Sequence, residues 1–161
     1  MFERSQYERA LRPLLDQAAG YARALLHNKH DAEDAVQDAA LRGWQGIDSF
    51  DARRPFKGWW FAILRNCCID ILRRSKKSAT DRLDGRELPQ PSRDESANWE
   101  RLAIAMKELS EAHREILQLR YFGELSYDEL AQVLNIPKGT VMSRLHIARK
   151  SLASRFREGL Q

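Results

Sequence analysis

The stretch Ser126 to Arg149, SYDELAQVLNIPKGTVMSRLHIAR, constrains this chain more than any other. Ser126 and Glu129 stand in the S-x-x-E spacing of a capping box, where each side chain satisfies a free backbone N–H at a helix start. Tyr127, Leu130, Ala131 and Leu134 follow at helical spacing and supply an apolar face. Asn135 comes where the chain must turn, and asparagine enters the left-handed conformation more readily than most residues. Ile136 plugs the angle, and Pro137 favours an extended backbone just before itself. A second helix is predicted from about Lys138, with Val141, Leu145, Ala148 and Leu152 inward. This is the helix-turn-helix pattern, whose second helix enters the major groove of DNA. An ordinary helical hairpin inside a core is the competing reading. The charges favour DNA, because Lys138, Arg144, Arg149, Lys150, Arg155 and Arg157 occur with no acid among them. A helix so one-sided is drawn to phosphate.

At 161 residues the chain has room for one ordinary domain or two small ones. A hydrophobic content of 43% is enough for packed cores. The net charge of +4 leans only mildly toward nucleic acid, since 23 acids accompany 27 bases, so distribution matters more than sum. No apolar run approaches the roughly 18–20 residues of a membrane span, and MFERSQYERALRP is not a signal peptide. No membrane insertion and a cytoplasmic location are therefore expected. The two cysteines, Cys67 and Cys68, are adjacent. A disulfide between helical neighbours is strained, which excludes a disulfide-stapled secreted fold. Buried apolar thiols are expected there, in preference to a zinc or redox site shared with His27 and His30.

Taken in order, the chain begins with a predicted helix from about Glu3 to Leu26, striped by Leu11, Leu14, Leu15, Ala18, Tyr21, Ala22 and Leu25. Pro13 allows it to fall in two pieces. Asp31 is expected to cap the next helix, DAEDAVQDAALRGW, whose small inward residues Ala32, Ala35, Val36, Ala39 and Ala40 precede Trp44. Its other face carries Glu33, Asp34, Gln37 and Asp38. Acids in a first turn suit the helix dipole, yet Asp38 lies too far along for that, and an acidic patch also suits a basic protein partner. The residues leave those two readings even.

Beyond Gly46 and the Ile47-Asp48-Ser49-Phe50-Asp51 crossing, FKGWWFAILRNCCIDILRR from Phe56 reads as helix. Arg53, Arg54, Lys57, Arg65, Arg73, Arg74, Lys76 and Lys77 surround the single acid Asp70, interleaved with Phe56, Trp59, Trp60 and Phe61. Four aromatics in six positions cannot share one core face, so at least one, Trp59, is expected near the surface. Cations with exposed aromatics suit unpaired DNA, and the competing reading is a buried aromatic cluster with a solvated basic edge.

Apolar residues nearly vanish from Ser75 to Asn98, which marks a linker. The expected division is 1–75, a linker 76–97, and 98–161. In the second part Trp99, Leu102, Ala103, Met106 and Leu109 form a stripe, Ser110 caps a helix packing Ile116, Leu117, Tyr121 and Phe122, and Gly123 stops it. With no P-loop, HExxH or nucleophile motif, no catalysis, cofactor or metal is expected. The predicted fold class is all-α: two small helical domains joined by a flexible linker, the C-terminal one a helix-turn-helix.

DAEDAVQDA, the IDSFD loop, the F-x-G-W…I-x-RN…D-x-x-RR helix and LSYDELAQVLNIPKGTVMSRLHIARKSL occur here in one order. In that order the chain resembles the bacterial sigma-70 family, in its minimal extracytoplasmic-function type. The resemblance implies that Glu33, Asp34, Gln37 and Asp38 dock on the clamp helices of the largest subunit of the RNA polymerase core. It implies that Phe50 and Asn66 line a pocket for a flipped base of the minus-ten element, with Trp59 and Arg65 close by and Arg73 and Arg74 on backbone upstream. It implies minus-thirty-five contacts from Met142, Ser143, His146 and Ile147, with Lys138, Thr140, Arg144 and Arg149 on phosphates. Promoter DNA and an anti-sigma factor are the further implied partners, with a monomer outside those complexes. The sequence departs from the family pattern at Met142 and Ile147, where many relatives carry basic or polar residues. Both lose bidentate readout of guanine, which implies more reliance on DNA shape or an unusual promoter sequence. A stand-alone helix-turn-helix regulator, and a sigma-like module that titrates an inhibitor, are the alternatives.

Overall fold

The computed structural model describes residues 2–78 and 93–159. Most of the expected linker, residues 79–92, lies outside the described residues. Within them the chain forms eight α-helices and no strand: α1 (Arg4–Leu11), α2 (Leu15–Leu26), α3 (Lys29–Gln45), α4 (Phe56–Ser78), α5 (Arg93–Lys107), α6 (Glu111–Tyr121), α7 (Tyr127–Leu134) and α8 (Lys138–Glu158). A 3₁₀ turn at Arg12–Leu14, with Pro13 inside it, separates α1 from α2. The proline has no N–H to give a continuous helix, so the first segment falls in two pieces.

Asn28, not Asp31, caps α3. Its side chain accepts the Asp31 backbone N–H at 3.0 Å, which makes Asp31 the third helical residue and recipient of the cap. The spacing Asn28-x-x-Asp31 offered two caps, and the earlier one wins because His27 ends α2 in the left-handed conformation, φ 53°.

Small residues on α3 decide how the first half packs. Ala32, Ala35, Ala39 and Gly43 are all buried, which lets α4 lie close against α3. Trp60 of α4 is wholly enclosed there. Its indole N–H donates to the Tyr7 hydroxyl at 3.0 Å, and that hydroxyl donates to the Ala40 carbonyl at 2.7 Å. The buried polar atoms of both rings are thereby satisfied. A Cβ on Gly43 would lie 3.0 Å from the Trp60 ring and run into the Tyr7 hydroxyl. Gly43→Ala is therefore expected to destabilise the chain by about 1–3 kcal/mol, the usual cost of overpacking. In a calorimetric melt this is a fall of roughly 3–10 °C.

The second half is built by α6, α7 and α8 around Ile116, Leu119, Leu125, Leu130, Val141 and Leu145, none of them solvent-accessible. The capping box is present as predicted: Ser126 N–H donates to Glu129 Oε2 at 2.7 Å, and Glu129 N–H to Ser126 Oγ at 3.2 Å. Asn135 takes the left-handed turn at φ 52°. Ser110 caps α6 as expected, accepting the His113 N–H at 3.3 Å. At the end of α6 the left-handed residue is Glu124, φ 54°, and Gly123 is needed for room. A Cβ on Gly123 would come within 2.7 Å of both the Leu119 carbonyl and Leu125.

Four residues expected inward are exposed: Leu15, Trp99, Tyr121 and Phe122. Leu15, Tyr121 and Phe122 lie at or just beyond a helix end, where the stripe runs past its neighbour, and Trp99 lies mid-helix on a face of α5 that no neighbour among the described residues covers. Trp99 and Tyr121 line a shallow groove with Leu102, Leu152 and Phe156 between α5, α6 and α8. No helix among the described residues is long and apolar enough to cross a membrane.

Candidate nucleic-acid interface

Helix α4 carries three stripes rather than one broad face. Trp60, Leu64 and Cys67 recur at helical spacing and are buried toward the first-half core. Gly58, Phe61, Arg65 and Cys68 form a second stripe, turned toward α2 and the second half of the chain. Trp59, Asn66 and Arg73 form a third, each seven residues from the last, with Trp59 half-buried and Asn66 and Arg73 exposed. That third stripe gathers three of the residues expected to meet the minus-ten strand.

Phe50 is delivered to the head of the third stripe by the crossing from α3. A 3₁₀ turn at Ile47–Ser49 buries Ile47 and leaves Phe50 extended, φ −72° and ψ 123°. Just beyond, Asp51 accepts the Arg53 backbone N–H at 3.0 Å and its guanidinium at 2.9 and 3.0 Å. Those bonds hold the Asp51 carboxyl down at about 2, so it stays ionised and fixes the loop. The Phe50 ring lies 5.1 Å from Trp59 and 5.5 Å from Phe56, and Phe56 lies 5.7 Å from Trp59. The half-buried aromatic group and the exposed amide of Asn66, two turns further along the same face of α4, offer stacking and hydrogen bonding, the two things an unpaired base needs.

Arg65 stands apart from this group. Its guanidinium donates to Glu115 of α6, and both side chains are largely buried. Burial works against the charged guanidinium, but the hydrogen bond and charge of Glu115 more than offset it, so the group titrates above its ordinary value. Arg74 bonds back to the Asp70 carbonyl at 3.4 Å.

The seam that holds Arg65 joins the two halves of the chain. Lys57 donates to the Glu124 carbonyl at 2.9 Å, and Gln17 to the Glu124 carboxylate at 3.0 Å. On the first-half side Phe61 packs against Tyr21 at 6.0 Å, and across the seam Gln118 donates to the Ala24 carbonyl at 3.5 Å. Gly58 lets α7 approach, since a Cβ there would lie 2.9 Å from the Gln132 amide carbon. The seam is mixed: the buried apolar cluster runs from the first half into the second, while the Tyr21 hydroxyl and Gln132 Oε1 are buried without a protein partner. Burial lifts the Cys67 thiol to about 11 and the Cys68 thiol to about 12, so both stay protonated at neutral pH. Among the described residues no group of three or more His, Cys, Asp or Glu could hold a metal ion.

On α8, burial of Val141, Leu145 and Ala148 turns Met142, Ser143, His146 and Ile147 to the surface. Met142 is 54% exposed and Ile147 49%. Lys138 pairs with Asp128 at 3.1 Å. Thr140 and Arg144 are half-buried on the flanks. Arg149 donates to the Tyr121 hydroxyl at 2.7 Å, a hold that fixes its direction beside the recognition face.

The acidic residues of α3 lie on a helix of their own, apart from α4 and α8. Glu33, Asp34 and Gln37 are exposed, and Asp38 is half-exposed, paired with Arg42 at 2.9 Å. Leu41 completes this face and is 55% exposed. The sequence reading passed over it, although the spacing 34, 37, 38, 41 places it on the polar side of the helix.

This two-part helical fold, ending in a helix-turn-helix with a basic second helix, is that of a DNA-binding factor. The Sigma-70 region 2 family matches residues 10–78, and the Sigma-70, region 4 family matches residues 105–154. SigL of Mycobacterium tuberculosis, an ECF RNA polymerase sigma factor, is 34% identical over 158 residues, covering 92% of this chain and 89% of SigL. SigW of Bacillus subtilis, of the same description, is 33% identical over 150 residues, covering 83% of this chain and 80% of SigW. Among solved structures, the sigma factor RpoE of Bartonella quintana, determined with the anti-sigma factor NepR, superposes with a TM-score of 0.76 at 26% identity over 95% of this chain and 98% of RpoE. The chain belongs to the extracytoplasmic-function sigma factors of the sigma-70 family, and it directs RNA polymerase to promoters.

Proposed function

We propose that this initiation factor divides its work among three faces. The acidic side of α3, with Glu33, Asp34, Gln37, Asp38 and the exposed Leu41, docks on the clamp helices of the polymerase core. Phe50, Trp59, Asn66, Arg73 and Arg74 take the non-template strand of the minus-ten element, with Arg65 joining them when the seam parts. Met142, Ser143, His146 and Ile147 read the minus-thirty-five element, with Lys138, Thr140, Arg144 and Arg149 on phosphates. The observation that carries the reading is the triple stripe of α4. One helix buries its first stripe in the core, lends its second to the seam, and leaves its third, aromatic and amide-bearing, open to a strand.

The same geometry requires the chain to open. The two promoter elements lie about 25 base pairs apart, roughly 85 Å of duplex, whereas α4 and α7 are in contact. The factor has no catalytic step of its own, acts in the cytoplasm, and is a monomer outside its complexes. RpoE was solved with an anti-sigma factor bound, and a partner of that kind is proposed here as the agent that holds the closed state. The test is reconstitution with core polymerase on a randomised promoter pool. Recovery of two conserved elements at one spacing supports the proposal. Tight, symmetric duplex binding without polymerase would favour a stand-alone regulator instead.

A further inference from the structure

The aromatic group at the head of α4 has a member that comes from the opposite end of the first half. The Phe2 ring lies edge-on to Phe50 at 5.0 Å, with 83° between planes, and stacks on Phe56 at 5.6 Å, with 14° between planes. Phe50 is thus flanked by Phe2 on one side and by Trp59, at 5.1 Å, on the other.

Phe2 is held where it is. The next residue, Glu3, is the N-cap of α1, and its N–H donates to the Gln6 side chain at 2.9 Å. Tyr7, one turn into α1, packs on the same Phe56 ring at 5.7 Å. A residue before the cap and one in the first turn sharing an apolar contact form a hydrophobic staple, which fixes the entry of the chain. A staple explains why Phe2 is anchored but leaves unexplained its contact with Phe50, which belongs to a loop outside α1.

We infer that Phe2 is a positioning residue of the minus-ten base pocket: it sets the angle of the Phe50 ring through the edge-on contact, and so sets how that ring meets a flipped base. The inference rests on the base-pocket reading proposed above. Aromatic pairs of this geometry contribute modestly beyond burial, so loss of the ring should weaken opening without abolishing it.

The test uses holoenzyme reconstituted from the full chain and core polymerase. Open-complex formation is measured on a promoter with the pocket base intact and on one with that base replaced by an abasic site. Phe2→Ala is expected to slow opening roughly 5-fold on the intact promoter, the scale of one or two aromatic contacts, and to make no difference on the abasic one. Phe2→Trp should restore most of the loss. An equal loss on both templates would make Phe2 a purely structural staple and overturn the inference, as would no loss on either. Asn66→Ala run in parallel separates the two layers. If Asn66→Ala is sensitive to the base and Phe2→Ala is not, only the role of Phe2 falls. If wild type is itself indifferent to the abasic site, the base pocket falls and Phe2 with it.

Discussion

Glu115→Ala is expected to raise the affinity of the free chain for single-stranded minus-ten DNA by roughly 5- to 30-fold. The partner of Glu115 is Arg65, on the second stripe of α4, and the side chains are 22% and 27% exposed. Breaking a fully buried pair costs about 3–5 kcal/mol because a charge is left stranded. Solvent reaches this one in part, so about 1–2 kcal/mol is the appropriate scale. That cost falls only on the closed state, because the separated halves leave Arg65 in water. Fluorescence anisotropy of a labelled oligonucleotide at one fixed salt concentration reads the change, and an unaltered affinity would mean that the pair does not hold the seam. The double variant Arg65→Ala, Glu115→Ala leaves no stranded charge in the closed state, so it should lose most of the gain.

Asn66→Ala is expected to cut promoter opening by roughly 5- to 150-fold while leaving assembly with core polymerase unchanged. The side chain is exposed and forms no contact that the fold depends on, so its removal should not disturb stability. Its amide offers two donors and an acceptor, and a well-placed bidentate contact to a base contributes about 1–3 kcal/mol. Permanganate reactivity of unpaired thymines reports opening, and a gel-shift of core against the variant reports assembly. Equal reactivity in variant and wild type would remove Asn66 from the base pocket.

Both predictions depend on features that differ in how far the sequence discloses them. The helix-turn-helix was legible because its determinants are local: the Ser126–Glu129 box, the left-handed Asn135 and the inward Val141 all act within a few residues. The α3 start was misplaced by three residues because Asn28 and Asp31 are both good caps, and the choice depends on how α2 ends at His27. The exposed rings of Trp99 and Tyr121 were misread because helical periodicity reports which residues share a face, not whether a neighbour extends far enough to cover it. The seam was not legible at all. Gly58 meeting Gln132, and Arg65 meeting Glu115, join positions far apart in sequence, and nothing in the α4 pattern separates a stripe facing its own core from one facing another domain. The cations of that helix read as a single basic edge, yet Arg65 is withdrawn into the seam while Arg73 stays on the surface.

Polar contacts across the seam favour the parting of the halves that the proposed function needs. An interface of Leu and Phe alone would resemble a core cut in half and would stay shut. Here the apolar cluster is continuous across the seam, but an ion pair and hydrogen bonds to Glu124 cross it too, and water or a partner can replace those polar contacts.

Energy transfer between dyes on the two halves tests this account most directly. Cysteines introduced at Gln45 and Glu158, both exposed, can be labelled selectively because Cys67 and Cys68 are buried and protonated. The free chain is predicted to give high transfer, and the holoenzyme on promoter DNA low transfer, as the halves separate to reach elements about 85 Å apart. High transfer retained in a complex that is actively initiating transcription would contradict it.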